Sequence, residues 1–369
     1  MRNASTPRPW STTPRTISSF SRLFALCNEN GRFERIIEAV ERRLSRDPDD
    51  IDAHVALADA YLMTGDYERG WAEFEWRWKA EFYVRDRERY FNRPLWDGRR
   101  PLGQRTLLIH AEMGVGDTLH MIRFVPWLTR RHPEARFVLF VDPNLRDLLA
   151  DSFVAYPAVR VEQTQASRIT LAYELHLPLM SLARIYGARL DDLENRVPYI
   201  SVPPARRYGA ARDLVVGLAW HSKAVEDGAR RSVPLEAFLP FCAIPRVKLV
   251  DLQYGDTEGE RHAFAAAGGR IFHDREVDQL ASIEDFAGQI MGCDLVLSID
   301  NSTAHVAGAL GKRAWVLLHT TANWRWLKAR SDSPWYPSLR LYRQDRTGTW
   351  PPVIERVTAD LRALAEEPS

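Results

Sequence analysis

Between Thr106 and Leu318 the chain alternates short apolar runs with longer stretches whose apolar residues recur every three or four positions. The runs are TLLIHA, RFVLFVD, VRVE and YELHLPL, then LVVGLAW, VKLVDLQ, GRIFHD, CDLVLSID and AWVLL. Such brief, near-continuous apolar segments bounded by turn residues fit strands buried on both faces of a parallel sheet. Their alternation with helical stretches predicts an α/β protein with helices on both faces of each sheet.

Between YELHLPL and LVVGLAW lies PYISVPPARRYGAARD, residues 198–213, rich in proline and charge. It reads as a linker between two Rossmann-like domains, 103–205 and 212–345, that face a cleft. A ligand is expected there, at the carboxyl ends of the strands. Residues 346–369 form a C-terminal extension or helix.

The region before the strands has a different texture. A shift of 34 residues pairs Leu23 with Leu57, Cys27 with Tyr61, Gly31 with Gly65, Phe33 with Tyr67, Glu34 with Glu68, Arg35 with Arg69 and Val40 with Phe74. This is the tetratricopeptide (TPR) period, a helix, a glycine-containing turn and a second helix. Residues 17–84 are similar to two such repeats, broken by Pro48 and Asp49, within a helical segment running over 17–95. Two units are too few to stand alone, so the segment leans on the larger part of the chain beyond it. It is either a peptide-binding groove for a protein partner or a packing appendage. Residues 1–16 read as a disordered tail. Arg2, Arg8, Arg15 and Arg22 among Ser, Thr and Pro are shared with transit peptides, but an amphipathic period is lacking.

Charge and cysteine content narrow the classes. The formal net charge of +1 draws the chain neither to nucleic acid nor to an acidic membrane. Cys27, Cys242 and Cys293 have no metal-ligand spacing, which suits a reducing cytoplasm without structural zinc. No apolar run approaches the roughly 18 to 20 residues of a membrane span.

Three stretches offer chemistry. In TLLIHAEMGVGDTLHMIRFVPWL a strand runs into Gly114, Val115, Gly116 and Asp117 before a helix. The glycines permit close approach of a substrate. Asp117, stabilised by free N–H groups at the helix start, is either a proton acceptor or an ordinary N-cap. In LVVGLAWHSKAVEDGARRSVPLEAF the loop carries His221, Ser222, Lys223, Arg230 and Arg231, and Pro234 and Leu235 begin a helix. The cations suit a diphosphate, or they are a solvated cluster. In SIDNSTAHVAGALGKRAWVLL, Asn301 or Ser302 caps a helix whose free N–H groups and dipole favour an anion. His305, in its first turn, faces a phosphate oxygen or is a satisfied helix histidine. Ala304, Ala307, Gly308 and Ala309 let the helix lie close on the sheet, and Gly311 ends it.

Together these stretches resemble glycosyltransferases of the GT-B fold, two Rossmann-like domains, that include the lipopolysaccharide heptosyltransferases. That family has a Met-Gly-Asp or Gly-Leu-Gly-Asp loop after the first strand, here Gly114 to Asp117, and an Asp-Thr-x-x-x-His turn, here Asp300 to His305. Bacterial proteins joining tetratricopeptide repeats to such a transferase end in Asp-Trp-Arg-Trp-Leu and Ser-Pro-Trp-Tyr-Pro, matched by NWRWL at 323–327 and SPWYP at 333–337. The resemblance covers roughly residues 17–345.

The resemblance implies inverting, metal-independent transfer of a sugar from a nucleotide-diphosphate sugar to a glycan, lipid-linked or protein acceptor, without a cofactor. It makes Asp117 the general base and Gly114 and Gly116 part of the acceptor loop. It makes Arg231 the residue that neutralises the donor diphosphate, with Lys223 and Arg230 as helpers on chemical grounds. Asp300, Asn301, Ser302, Thr303 and His305 form the donor turn, with Asn301 where the family has Thr. Asp256, ahead of Glu258, is the candidate ribose carboxylate, and Tyr254 stacks on the base or packs in its loop. Trp324, Arg325, Trp326, Trp335 and Tyr336 wall the sugar or acceptor site or pack between domains. The alternatives are a sugar-nucleotide epimerase of the same architecture, or a non-catalytic repeat-bearing protein that binds a nucleotide sugar.

Overall fold

A computed structural model describes residues 33–80, 92–164, 171–189, 191–193, 196–203, 206–224, 228–328, 330–345 and 348–367. The chain divides into two compact units, residues 1–194 and 195–369.

Among the described residues the first unit begins with helices α1 (Phe33–Leu44), α2 (Ile51–Thr64) and α3 (Tyr67–Phe74). The Asp50 carboxylate accepts the Ala53 N–H to start α2, and Gly65 ends it at φ 83. Asp66 then accepts from Arg69 to start α3. The two helices touch closely at Gly70, where a Cβ would lie 2.7 Å from the Leu62 side chain. This pair has the glycine turn that the 34-residue period predicts. Of the earlier unit of that period, Phe33, Glu34, Arg35 and Val40 lie in α1, while Leu23, Cys27 and Gly31, and the expected tail over 1–16, lie outside the described residues.

Next come β1 (Thr106–His110), β2 (Arg136–Val141), β3 (Val159–Gln163) and β4 (Leu175–Pro178), all parallel in the order β3-β2-β1-β4. Helices α4 (Val115–Met121), α5 (Val125–Arg131), α6 (Arg146–Ser152) and α7 (Leu182–Tyr186) follow β1, β2 and β4. Five of the six β2 residues are buried, as a doubly covered strand requires. Beside β4, Leu95 forms one further parallel bridge to His176, so the sheet's edge is extended by the chain arriving from the helices.

The second unit contains β5 (Leu214–Ala219), β6 (Val247–Asp251), β7 (Ile271–Phe272), β8 (Leu295–Ile299), β9 (Ala314–Leu318) and β10 (Leu339–Arg343). They form one parallel sheet, β7-β6-β5-β8-β9-β10, whose order reverses at β5 and β8. That is the doubly wound 3-2-1-4-5-6 arrangement, which places ligands outside the carboxyl ends of the strands at the reversal. Around it lie α8 (Gly228–Arg231), α9 (Glu258–Ala266), α10 (Ile283–Met291), α11 (Ser302–Ala309) and α12 (Pro351–Glu366).

Three features differ from the sequence expectations. LRLYR forms β10, because Leu339, Leu341 and Tyr342 are buried while Arg340 faces out at the sheet edge. The segment from Leu235 is a 3-10 helix to Ala243, since Pro240 lacks an N–H and its ring obstructs an α-helical ladder. The Pro-rich stretch is packed on the second unit: the Tyr199 N–H donates to the Ala309 carbonyl, and Arg207 grips Asp294 at 2.8 and 3.1 Å. Residues Pro351–Glu366 form α12, which buries Val353, Val357 and Leu361 in the same cluster as Phe238 and Trp315.

Candidate functional site

In the second unit the polar residues converge at the ends of β5 and β8. The β5 strand leads into Trp220 and His221, whose N–H groups both donate to Gln253 Oε1, at 2.9 and 2.8 Å. This crosslink to the end of β6 fixes where the next loop begins. The loop returns through α8, where a Cβ on Gly228 would lie 2.5 Å from the Ser222 carbonyl oxygen. Glycine is required there by space alone.

Arg231, at the end of α8, donates to the backbone carbonyl of Asp300 at 3.3 Å and lies 3.6 Å from its carboxylate. Asp300 follows β8 and is 2% exposed. Its Oδ1 accepts the Trp326 indole N–H at 2.7 Å, and its Oδ2 accepts Asn323 Nδ2 at 3.3 Å. Burial by itself pushes the Asp300 pKa up. The Arg231 charge, the Trp326 bond and the neighbouring His305 and His319 outweigh it and hold the group below the usual carboxylate range.

Asn301, not Ser302, caps α11. Its Oδ1 accepts both the Thr303 N–H and the Ser298 hydroxyl at 2.9 Å, so the side chain is fixed from two sides. Ser302 is the first residue of the helix, and Thr303 is fully buried. Gly311, at φ 67, lets the chain turn after α11, with the Lys312 N–H donating to the Ala307 carbonyl. Gly308 admits the Tyr336 ring rather than the sheet: a Cβ there would lie 2.4 Å from it.

His305 is 5% exposed. Its Nδ1 shares a hydrogen bond with the Tyr336 hydroxyl at 2.9 Å, and its ring stacks on Trp326 at 5.3 Å. The structure therefore gives His305 two aromatic partners from the 320–337 stretch. Those aromatics turn inward, with Trp324, Trp326, Trp335 and Tyr336 at most 4% exposed. Of these, Trp326 touches both Asp300 and His305, and Tyr336 touches His305. Arg325 lies 4.2 Å over the Trp324 ring, and Arg343 donates to the Trp326 and Leu327 carbonyls.

The other expected donor residues are more peripheral. Lys223 and Arg230 are exposed, and the Lys223 ammonium end lies over Gly255. Asp256 is exposed and accepts the Glu258 N–H at the start of α9. Tyr254 is half-buried and edge-on to His221 at 6.4 Å. Between them lie two residues that sequence reasoning passed over, Asp251 and Gln253. Asp251 is fully buried and accepts from Gln253 N, Thr257 Oγ1 and His273 Nδ1, each at 2.9 Å. The signal was a buried strand, VKLVDLQ, carrying two polar residues at its end.

In the first unit, Gly114 caps α4 and Asp117 is its third residue. Asp117 Oδ2 accepts the Gly114 N–H at 3.0 Å, so the carboxylate closes the loop onto itself. Asp117 and Gly116 are half-buried. Met113, just before, has φ 66, an unusual conformation for a residue with a side chain. Upstream, His110 at the end of β1 lies 3.3 Å from His176 within β4, and burial first, then His176 and Arg77, pushes the His110 pKa well down.

No protein-family model matches the chain. Protein FlbA of Caulobacter vibrioides is 29% identical over 341 residues, 84% of this chain and 55% of FlbA. The chain thus spans about half the length of the curated relative it matches. Among solved structures, a glycosyl transferase family 9 protein from Veillonella parvula is similar with a TM-score of 0.47 at 10% identity, over 73% of this chain and 99% of that one. The E. coli ADP-heptose lipopolysaccharide heptosyltransferase II is similar with a TM-score of 0.46 at 15% identity, over 70% of this chain and 98% of that one. Among the described residues no helix is long and apolar enough to cross a membrane.

Proposed function

We propose that the protein is a glycosyltransferase that moves a sugar, with inversion, from a nucleotide-diphosphate sugar to a glycan, lipid-linked or protein acceptor. The observation that carries this reading is Arg231 set against buried Asp300 immediately before the Asn301-capped start of α11. A guanidinium held in place by a carboxylate costs little further ordering when it meets a diphosphate, and its planar fork matches phosphate oxygens. The helix N-terminus adds N–H groups and the positive end of a dipole.

As the bond to the anomeric carbon breaks, negative charge builds on the leaving β-phosphate. Fixed donors aimed there stabilise the transition state more than the ground state. Arg231 and the start of α11 supply that charge, so this mechanism invokes no metal. Asp117 takes the proton of the acceptor hydroxyl as its oxygen attacks the anomeric carbon from the opposite face. Lys223 and Arg230 lend screening positive charge, and His305 with Trp326 and Tyr336 keeps the donor turn in shape. In the same reading the helical segment is tetratricopeptide-like and the protein works in the cytoplasm.

Thermal-shift titration with UDP-, GDP-, ADP- and CMP-sugars tests the donor half. One nucleotide is expected to raise the melting temperature of the wild type by linkage, and the Arg231→Ala variant is expected to lose most of that rise. No shift with any of the four classes would sink the reading.

A further inference from the structure

The first unit contains a buried ionic brace that the transfer chemistry above does not use. Arg77 lies in the 3-10 turn Glu75–Lys79 that ends the helical segment, and it is 3% exposed. Its Nε and Nη2 donate to the two carboxylate oxygens of Glu112 at 3.0 and 2.6 Å, a bidentate pair. Glu112 is 4% exposed and also accepts the Met180 N–H at 3.1 Å. Arg77 further donates to the Phe74 carbonyl, the Glu75 carboxylate and the Ser181 hydroxyl. Ser181 in turn donates to Glu75 at 2.8 Å. One guanidinium thus joins the helical segment to the turns that follow β1 and β4.

Glu112 is two residues from Gly114 and five from Asp117. Between Glu112 and Gly114 stands Met113 at φ 66. Such a conformation persists only where the surroundings over-determine it. Here both flanks are anchored by carboxylates, Glu112 on Arg77 and Met180 on one side and Asp117 on the Gly114 N–H on the other. Removing the first anchor frees the turn to relax, and Asp117 moves with it.

We propose that Arg77 is a positioning residue for the Gly114 to Asp117 loop, acting through Glu112, so that the helical segment is a working part of the acceptor half rather than a detachable module. This rests on the glycosyltransferase reading for its effect on turnover, and on the geometry alone for its effect on the loop.

The test compares the full-length wild type with Arg77→Met, Arg77→Lys and the double variant Arg77→Met/Glu112→Met. Removing one partner leaves a charge buried without its mate, whereas replacing both by apolar side chains of similar length restores a folded interior. The double variant is therefore the decisive protein. It is expected to fold, to keep the nucleotide-induced thermal shift, and to exchange the amide hydrogens of residues 112–117 faster while those of 106–110 are unchanged. Its kcat is expected to fall roughly tenfold to a hundredfold, the effect of misplacing a reacting group by about 1 Å, with KM for the donor unchanged. Arg77→Lys, which cannot be bidentate, is expected to lie between. Wild-type exchange over 112–117 in the double variant overturns the brace, whether or not the protein transfers sugar. Faster exchange with wild-type kcat overturns the link to Asp117. Loss of the nucleotide shift as well shows an effect not confined to this loop and overturns the proposal. A wild type that shows neither nucleotide shift nor turnover defeats the glycosyltransferase reading instead, and leaves the exchange result to decide the brace.

Discussion

Trp326 donates its indole N–H to Oδ1 of Asp300 at 2.7 Å, and through this bond the NWRWL turn is tied to the end of β8. Both groups are buried, so neither can exchange its partner for water. Trp326→Phe keeps a ring against His305 but leaves a carboxylate oxygen without its donor. The expected loss is about 1 to 3 kcal/mol of unfolding free energy. Guanidinium denaturation measures it, and a midpoint equal to wild type would show that the bond contributes nothing net.

The Asp300 carboxyl has a folded pKa held below its unfolded value of 3.8. The folded state therefore binds its proton less readily than the unfolded chain. The stabilisation is fully present above the unfolded value and is lost as pH falls through the folded one. The stability difference between wild type and Asp300→Asn is expected to be constant near neutrality and to shift against the wild type below pH 3.8. Urea titrations at a series of pH values check this, and parallel profiles down to about pH 2.5 would remove Asp300 from the acid response.

Gly308→Ala and Gly288→Ala make a matched pair within helices of the second unit. At Gly308 the new Cβ meets the fully buried Tyr336 ring at 2.4 Å, so that ring and its bond to His305 must shift. Overpacking of this kind costs roughly 1 to 3 kcal/mol, against a helix-propensity gain of about 1. At Gly288 nothing lies within 4 Å, so only the gain remains. Thermal melts are expected to move in opposite directions. A Gly308→Ala protein as stable as Gly288→Ala would show that Tyr336 is loosely held.

Asp117→Asn isolates charge from geometry. The amide oxygen can still accept the Gly114 N–H that the carboxylate accepts now, at 3.0 Å. The loop is expected to keep its shape and the nucleotide-induced thermal shift to persist, while turnover drops about 10²- to 10⁴-fold. Wild-type turnover in this variant would take Asp117 out of the chemistry.

Asn301→Ala tests the α11 cap. It removes the acceptor shared by the Thr303 N–H and the Ser298 hydroxyl, with an expected cost of about 1 kcal/mol. Asn301→Thr, which keeps a side-chain oxygen able to cap, is expected to recover most of that in urea denaturation. Equal stability of the Ala and Asn proteins would mean the cap is dispensable.

Nine apolar runs in the sequence correspond to β1 through β9, and the signature is clearest in β2, β5, β8 and β9, where nearly every residue is buried as in a strand covered on both faces. LRLYR escaped that pattern because β10 is an edge strand with Arg340 exposed. Arg77 and Glu112 escaped for a different reason. They are 35 residues apart and charged, and nothing local distinguishes a buried ion pair from two solvated surface groups. The 320–337 aromatics could be seen but not oriented, since a tryptophan lining a ligand site and one packed on a carboxylate look alike in sequence.

The sequence by itself determined the alternation of strands and helices, the glycine turn between α2 and α3, and which short stretches hold the polar residues at strand ends. Those are local matters of periodicity, turn conformation and capping, and neighbouring residues settle them. Only the tertiary structure decided that Asp300 holds Arg231 and Trp326 together, that His305 faces Tyr336, and that Arg77 reaches Glu112. Each of those pairings joins residues at least 20 positions apart, and each exists because a polar group taken out of water must find its partner among whatever the packing brings near.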